Sequence, residues 1–281
     1  MQLHFYKMQG IGNDYVYINA METNIPNPSA LSKTVSDRHF GIGSDGLILL
    51  LPSTVADVRM QMFNADGSEG RMCGNGIRCV GKLAYELDIC KSESMTVETL
   101  SGIKTLKLQV EDGSVSNVCV DMGSPSMEIE KIPVRYTERR MVEAPLTVNG
   151  ATYSITCVSM GNPHAVIFTD GIDGMDLEKI GPQFEHHESF PESVNTEFVE
   201  VLGDHLLKMR VWERGSGETL ACGTGACAVV VAACLTRRCP RGEDVDVLLR
   251  GGKLTIRWDN DRVWMTGPAK LVYTGDIEIV E

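Results

Sequence analysis

A ten-residue segment that ends in cysteine occurs twice in this chain of 281 residues. The two copies are residues 64–73 and 213–222. Each is followed by a Gly-X-Gly turn and then by a run of residues with helical spacing. Cys73 and Cys222 are 149 positions apart (222 − 73 = 149), and Asn13 and Asn162 have the same offset (162 − 13 = 149). A constant offset without insertions indicates a duplication, so we expect two related halves, each with a cysteine at the start of a helix.

The pattern of apolar residues indicates the class of fold. Alternating runs predict strands in both halves. Helical spacing predicts helices over residues 28–39, 74–87, 177–187 and 223–235, the third interrupted at Gly181-Pro182. The last of these is apolar on nearly every side and is expected to be buried all round. Since the strands are spaced like hairpins, the predicted class is α+β. We expect two homologous, pseudo-symmetric domains, each an antiparallel β-sheet or barrel wrapped around a central helix.

The duplication also predicts where the domains divide. The first domain is expected to cover residues 1–121 and to carry Cys73, and the second to cover residues 122–267 with Cys222. The last strand, at residues 268–281, is expected to pair back onto the first domain.

Composition excludes several classes of function. The net charge is −12 and no basic cluster exceeds two residues, which argues against a nucleic-acid partner. The longest apolar run, Ala226–Leu235, is too short to span a membrane, and the start of the chain has no secretory pattern. Nine cysteines, an odd number, suit a reducing compartment better than a disulfide framework, so a cytoplasmic location is expected. The sequence contains no C-x2-C pair and no histidine at a matching interval, so we predict no metal site.

A cysteine at the start of a helix has a chemical consequence. The unpaired N–H groups there favour negative charge, so the thiol pKa is expected to fall and some thiolate to exist near neutral pH. Two such cysteines, one in each half, could act on opposite faces of one ligand. One thiolate would remove a proton from a tetrahedral carbon and the other thiol would return one, which is a two-base stereoinversion that needs no cofactor.

Other residues are candidates for completing this site. Arg214 offers a planar guanidinium for a second carboxylate, and Glu213 and His164 are candidates for setting cysteine protonation or binding an ammonium group. Asn13, Asn64, Asn162 and Asn195 lie at loop positions and can donate and accept hydrogen bonds. Simpler interpretations stay open: an asparagine beside glycine often serves turn geometry, His164 could be a packed histidine, and Arg214 a solvated surface charge.

At this point the sequence resembles the diaminopimelate epimerase family over nearly its whole length. The motifs that carry the resemblance are Gly10-Ile11-Gly12-Asn13-Asp14, Asn64-Ala65-Asp66-Gly67-Ser68, Met72-Cys73-Gly74-Asn75-Gly76-Ile77-Arg78, Met160-Gly161-Asn162-Pro163-His164, Phe190-Pro191-Glu192-Ser193-Val194-Asn195, Glu213-Arg214-Gly215-Ser216-Gly217-Glu218-Thr219 and Ala221-Cys222-Gly223-Thr224-Gly225. The resemblance implies interconversion of LL- and meso-2,6-diaminopimelate without pyridoxal phosphate or another cofactor, in lysine and cell-wall synthesis.

The resemblance also implies roles for individual residues. It makes Cys73 and Cys222 the catalytic pair, with His164 and Glu213 tuning their protonation. Residues expected to bind the reacting carboxylate are Gly74, Asn75, Gly223 and Thr224. Residues expected to bind the distal end of the substrate are Asn64, Asn162, Asn195, Glu213 and Arg214, and Asn13 also contacts substrate. Family members are typically homodimers, and Tyr273 matches a tyrosine linked to dimerisation.

One departure and several alternatives remain. Gly46 stands where many bacterial members have glutamine, so one side-chain contact is missing and we expect an effect on affinity rather than reaction type. A proline or hydroxyproline racemase shares the two-cysteine plan, but it typically has histidine at the position of Asn75 and no use for the Arg214 guanidinium. Phenazine-pathway isomerases resemble the fold without the cysteine pair. A thiol redox switch is disfavoured because no C-x-x-C occurs.

Overall fold

The computed structural model describes residues 2–279. Contacts within the chain divide it into two units, Met1–Val120 with Thr266–Glu281 and Asp121–Met265. The last strand predicted from the sequence covers residues 268–281. Its residues 280 and 281 lie outside the described residues. No helix within the described range is long and apolar enough to cross a membrane.

The first unit is built from two helices and a set of paired strands. In chain order these are β1 (Gln2–Gly10), β2 (Asn13–Asn19), α1 (Pro28–Ser36), β3 (Gly46–Leu51), β4 (Val58–Asn64), β5 (Glu69–Gly70), α2 (Gly74–Glu86), β6 (Ser94–Thr99), β7 (Gly102–Glu111) and β8 (Ser114–Gly123). Helix α2 packs against β1, β2, β3, β4, β6 and β7, with Ile77, Val80 and Leu83 buried. This packing makes α2 the central helix of the unit.

The second unit repeats this order. Its elements are β9 (Ala144–Val148), β10 (Ala151–Ser159), β11 (Pro163–Phe168), α3 (Leu177–Glu185), β12 (Asn195–Gly203), β13 (Leu206–Glu213), β14 (Gly217–Glu218), α4 (Gly223–Leu235), β15 (Asp244–Leu249), β16 (Gly252–Asp259) and β17 (Arg262–Pro268), with short 3-10 turns at Ile129–Lys131 and Ile172–Gly174. The final strand, β18 (Lys270–Glu278), pairs antiparallel with β1. Strand β9 pairs with β10 in the same way.

The repeat extends to individual residue pairs. Val16 lies opposite Leu47 in the first unit, and Ala165 lies opposite Thr196 in the second, so both partners are shifted by 149 positions. Helix α4 begins and ends 149 positions after α2. Nearly all of α4 is buried, as its apolar composition predicts. The predicted α+β class with two related halves is therefore confirmed.

The strand pairing differs from the prediction of hairpins alone. Four pairs are parallel: β2 with β3, β4 with β6, β11 with β12, and β13 with β15. Each parallel pair is joined by a connection that contains a helix, because a tight turn cannot return the chain to the start of a parallel neighbour. The sheets are therefore mixed.

Two helices also differ in detail from their predicted bounds. Helix α1 ends at Ser36 rather than at residue 39, since Asp37 leaves helical geometry with ψ of 123°. Helix α3 runs without a break through Pro182. Asp176 caps its start by accepting a hydrogen bond from the backbone N–H of Lys179 at 3.2 Å. Gly181 lies so close to Trp212 that an added Cβ would be 2.2 Å from the indole. The predicted interruption at Gly181-Pro182 is therefore wrong, and the glycine serves close packing.

Candidate active site

The cysteine of the first unit caps the central helix. Cys73 is the N-cap of α2, and its Sγ accepts a hydrogen bond from the backbone N–H of Gly76 at 3.3 Å. Its thiol donates to Oδ1 of Asn13 at 3.2 Å. The sulfur therefore lies at the positive end of a 13-residue helix and also contacts a polar side chain from the start of β2.

Asn13 is held in place by charged neighbours. Its Nδ2 donates to Oδ2 of Asp45 at 2.7 Å, and Arg38 donates to Oδ1 of the same carboxylate at 3.0 Å. Because Asp45 fixes the amide nitrogen, the amide oxygen of Asn13 is turned toward Cys73. Burial raises the pKa of the neighbouring Tyr15, and the nearby Cys73 and Asp45 raise it further. The Tyr15 hydroxyl therefore stays protonated beside the cysteine.

Arg78 is a site residue that the sequence analysis did not select. Its side chain is fully buried, and it donates to Oδ1 of Asn75 at 3.0 Å, to the carbonyl oxygen of Gly74 at 2.9 Å and to that of Pro268 at 3.2 Å. Three fixed acceptors around one guanidinium hold the first turn of α2 in a single arrangement. An arginine within a predicted helix is usually expected at the protein surface, so the sequence alone does not reveal this role.

Asn64 and Gly46 lie together where β4 pairs with β3. Asn64 is exposed, and its Nδ2 donates to Oγ of Ser68 at 2.9 Å. A Cβ on Gly46 would be 2.1 Å from the carbonyl oxygen of Phe63 and 2.8 Å from the ring of Tyr15. Glycine at position 46 therefore fits the local backbone, and a longer residue there would require the two strands to shift.

The cysteine of the second unit has the same backbone position and a different environment. Cys222 is the N-cap of α4, and its Sγ accepts from the backbone N–H of Gly225 at 3.4 Å and lies 3.6 Å from Oγ1 of Thr224. Glu213, at the end of β13, is close enough to Cys222 to affect its ionisation and accepts a hydrogen bond from the Thr219 hydroxyl at 2.5 Å.

Electrostatics corrects one expectation about Cys222. Burial raises the pKa of the Cys222 thiol well above its ordinary value, and the charges of Glu213 and Glu197 raise it further. These effects outweigh the hydrogen bonds from Thr224 and Gly225, which act in the opposite direction. The lowered pKa expected from the helix N-terminus is therefore wrong for this cysteine, and its surroundings favour the thiol form. Burial also raises the pKa of Glu213.

His164 and Asn162 form a hydrogen-bonded chain toward α4. Nδ1 of His164 is 2.6 Å from Oε1 of Glu197, and its Nε2 is 3.1 Å from Oδ1 of Asn162. Nδ2 of Asn162 in turn donates to Oγ1 of Thr224 at 3.2 Å. Glu197 was not selected from the sequence, although a glutamate inside the apolar start of β12 is a signal that could have identified it.

Asn195 and Arg214 lie next to the hydrogen-bonded residues His164 and Asn162. Nδ2 of Asn195 donates to the carbonyl oxygen of Pro163 at 2.7 Å, and its Oδ1 accepts from the backbone N–H of Arg214 at 3.0 Å. The Arg214 side chain is exposed and donates to the carbonyl oxygen of Glu192 at 3.0 Å. Asn195 therefore fixes the backbone at Arg214, whose guanidinium keeps further donors available for a ligand.

The remaining predicted positions can also be located. Tyr273 is on β18 with 44% of its surface exposed, and its ring packs edge-to-face on Phe5 with centroids 5.9 Å apart. Gly74 and Asn75 form the first turn of α2, and Gly223 and Thr224 that of α4. Within residues 2–279, no group of three or more His, Cys, Asp or Glu side chains is arranged to hold a metal ion.

Comparison with solved structures identifies the fold. A phenazine biosynthesis protein of the PhzF family from Bacillus anthracis superimposes with a TM-score of 0.72 at 16% identity, covering 99% of this chain and 100% of its own. A hydroxyproline epimerase from Agrobacterium vitis gives a TM-score of 0.69 at 14% identity, covering 98% of this chain and 91% of its own. The chain therefore shares its fold with these two proteins.

Sequence comparison narrows the class to one family. A family model described as diaminopimelate epimerase matches residues 5–128 and 156–272. A diaminopimelate epimerase from Desulfovibrio desulfuricans is 55% identical over 99% of both chains, and one from Methanococcus maripaludis is 52% identical over 99% of this chain and 100% of its own. The chain belongs to the diaminopimelate epimerase family, whose members are isomerases. Hydroxyproline epimerase, at 14% identity, shares the fold alone.

Proposed function

We propose that this protein interconverts LL- and meso-2,6-diaminopimelate, with Cys73 and Cys222 as the two acid/base groups. The observation that carries the proposal is the position of the cysteines. Each is the N-cap of a central helix, and each Sγ accepts a hydrogen bond from the N–H three residues on, at 3.3 Å for Cys73 and 3.4 Å for Cys222. Two equivalent groups are what inversion of one carbon requires.

The proposed reaction follows from this equivalence. One cysteine, as thiolate, removes the α-proton, and the other, as thiol, donates a proton to the opposite face of the same carbon. Because burial and two carboxylates favour the protonated form of Cys222, we assign it the role of proton donor when LL-diaminopimelate binds, with Cys73 as the base. The roles exchange in the reverse direction.

Charge develops on the α-carboxylate when the α-proton leaves. We propose that the backbone N–H groups of the first turns of α2 and α4, at Gly74-Asn75 and Gly223-Thr224, bind this carboxylate and stabilise that charge. Arg78 supports the first of these turns through Asn75 Oδ1 and the Gly74 carbonyl oxygen. No cofactor takes part in the proposed reaction.

The distal end of the substrate needs a different set of groups. We propose that the exposed guanidinium of Arg214 binds the distal carboxylate, and that Asn64, Asn162, Asn195 and Glu213 bind the distal polar groups, with Asn13 contacting substrate near Cys73. His164 and Glu213 are proposed to tune cysteine protonation. The halves differ at these positions, as binding of an unsymmetrically placed second end requires: Asn64 and Ala65 in the first correspond to Glu213 and Arg214 in the second.

The proposal is tested with purified protein, reductant and LL-diaminopimelate without pyridoxal phosphate. We expect the meso isomer to form, and no racemisation of L-proline or trans-4-hydroxy-L-proline by the same preparation. Cys73→Ser and Cys222→Ser should each lower kcat by at least about 1000-fold, since each removes one of two required acid/base groups. Turnover of proline instead of diaminopimelate, or near wild-type turnover in either variant, would overturn the proposal.

Two further parts of the proposal concern the protein in the cell. We propose a homodimer that involves β18, because Leu271, Val272 and Tyr273 on this strand are all exposed, at 45%, 56% and 44%. Sedimentation of the wild type and of Tyr273→Asp would test this. We also propose a cytoplasmic location, which suits nine cysteines that form no disulfide bond in the structure.

A further inference from the structure

The two units support their cysteine-bearing helices with different chemistry. His164 and Glu197 occupy the positions that Tyr15 and Ile48 occupy 149 residues earlier. In both units these residues lie on neighbouring parallel strands, β2 with β3 and β11 with β12. The backbone frame is therefore repeated, while a phenol and an aliphatic side chain are replaced by an imidazole and a carboxylate.

The replacement lies directly against the first helical turn. A Cβ on Gly76 would be 2.6 Å from Cδ1 of Ile48, and a Cβ on Gly225 would be 2.7 Å from Oε1 of Glu197. The same place thus holds a methyl group behind α2 and a carboxylate oxygen behind α4. Glu197 is therefore in direct contact with the first turn of α4.

The hydrogen bonds of His164 specify its protonation. Its Nδ1 meets Oε1 of Glu197 at 2.6 Å, and its Nε2 meets Oδ1 of Asn162 at 3.1 Å. When Glu197 is ionised, its carboxylate and the amide oxygen of Asn162 can only accept hydrogen bonds, so both ring nitrogens donate. The His164 ring is then an imidazolium.

Burial makes the two charges depend on each other. His164 and Glu197 are both fully buried, and a lone charge there would be costly. Oε2 of Glu197 has no hydrogen-bond partner among the described residues, which leaves the imidazolium as the hydrogen-bonded partner of this carboxylate. Glu213 is a second carboxylate that interacts with His164, so the histidine has carboxylates on two strands, β12 and β13.

We propose that Glu197 is a positioning residue that keeps His164 as an imidazolium and thereby fixes Asn162 and Thr224 beside Cys222. The imidazolium holds the oxygen of Asn162, so its Nδ2 points to Oγ1 of Thr224 at 3.2 Å. Since Oγ1 of Thr224 accepts from Asn162, its own proton is left for Sγ of Cys222, 3.6 Å away. Cys222 thus has a hydroxyl donor ready for the half of the cycle in which it is a thiolate.

NMR on the wild-type protein tests the protonation directly. In protein with ¹⁵N-labelled histidine, long-range ¹H–¹⁵N spectra report whether each ring nitrogen carries a proton, and the His164 signals are assigned by their absence in His164→Asn. We expect both ring nitrogens of His164 to be protonated in the wild type. In Glu197→Gln one of them should lose its proton. A single ring proton in the wild type, or two in Glu197→Gln, would overturn the proposal.

Kinetics tests the positioning role, which rests on the proposed function. Glu197→Gln should lower kcat by about 10- to 100-fold, the usual effect of losing a partner that orients an active group, while KM changes less than about threefold. Glu200→Gln is the matched control. Glu200 is on the same strand and accepts backbone hydrogen bonds from Gly171 and Ile172, away from the site, so it should keep wild-type kcat.

The outcomes separate the two proposals. Wild-type kcat in Glu197→Gln overturns the positioning role, and so does an equal loss in Glu200→Gln. A wild-type protein without epimerase activity refutes the proposed function, and the ring protonation then decides the present inference by itself. The wild-type spectrum also decides it if Glu197→Gln does not fold.

Discussion

Oε1 of Glu197 lies 2.7 Å from the point that a Cβ on Gly225 would occupy, so a buried carboxylate is in direct contact with the first turn of α4. Sγ of Cys222 would be 3.2 Å from the same point. The glycine therefore leaves room for both the carboxylate and the reactive sulfur. This contact explains the glycine three positions after Cys222. Gly76 stands in the same relation to Cys73, with the Ile48 side chain in the place of the carboxylate.

Alanine at these two glycines should have unequal effects. In Gly225→Ala the new methyl group meets Glu197, which His164 holds at 2.6 Å, so Cys222 or the helix must move instead. We expect kcat to fall by at least about 10-fold, since small displacements of reacting groups cost this much. In Gly76→Ala the methyl group meets the end of the Ile48 side chain, which can turn away, so the loss should be several-fold smaller. Steady-state kinetics of both variants, with thermal unfolding to confirm folding, provides the check; equal losses would contradict this explanation.

Arg78 should affect substrate binding more than the chemical step. Lysine in its place keeps the charge but cannot reach Asn75, Gly74 and Pro268 together, so the first turn of α2 loses its fixed arrangement. We expect Arg78→Lys to raise KM for diaminopimelate by about 10-fold, roughly the effect of one lost charge-assisted hydrogen bond. An unchanged KM, measured with protein whose circular dichroism matches the wild type, would argue against this role.

Removing the charge of Glu213 should make Cys222 more reactive. Burial raises the pKa of the Cys222 thiol, and the negative charge of Glu213 raises it further. In Glu213→Gln the pKa should therefore fall and the thiolate fraction at pH 7.5 should rise. Iodoacetamide reacts with the thiolate, so we expect Cys222 to be alkylated about 3- to 10-fold faster, followed by mass spectrometry of its peptide. Glu200→Gln serves as control, and slower alkylation in Glu213→Gln would be the contrary result.

Asp14 should make stability depend on acid pH. Burial raises the pKa of Asp14, but the hydrogen bonds and charges of Lys7 and Arg38 outweigh it, so the pKa lies below its ordinary value of 3.8. A lowered pKa contributes stability above the unfolded-state pKa, and this contribution is lost as pH falls through the folded-state pKa. We expect Asp14→Asn to lose about 1 to 3 kcal/mol at pH 7, because Lys7 stays buried without its partner.

Urea unfolding from pH 3 to pH 7 measures this difference. The gap between wild type and Asp14→Asn should be constant above pH 5 and should shrink below pH 4 as the wild-type carboxyl is protonated. A gap that widens as the pH falls would show that the sign is wrong.

The sequence was sufficient for features that depend on local pattern. The starts of α2 and α4 were predicted from the Gly-X-Gly turns after Cys73 and Cys222, because periodic apolar residues follow at once. The constant offset predicted the repeat, and it extends to strand register. Parallel pairing was missed because it depends on which distant strands meet, and hairpin spacing says nothing about that.

Features that depend on distant residues could not be predicted. Arg78 donates to the carbonyl oxygen of Pro268, which is 190 positions away in the sequence, so no local pattern shows this contact. The raised pKa of Cys222 follows from burial with Glu197 and Glu213, and a helix N-terminus taken alone predicts the opposite sign. Such long-range electrostatics lies outside what motif and spacing can show.

Epimerisation in D2O tests the two-cysteine account most directly. LL-diaminopimelate is incubated with reduced wild-type protein, and both isomers are analysed by mass spectrometry and NMR at low conversion. If the base that removes the proton differs from the acid that returns it, the meso product carries deuterium at the inverted carbon while unreacted LL substrate keeps protium. A meso product that retains protium, or LL substrate that gains deuterium as fast as product forms, would contradict the account.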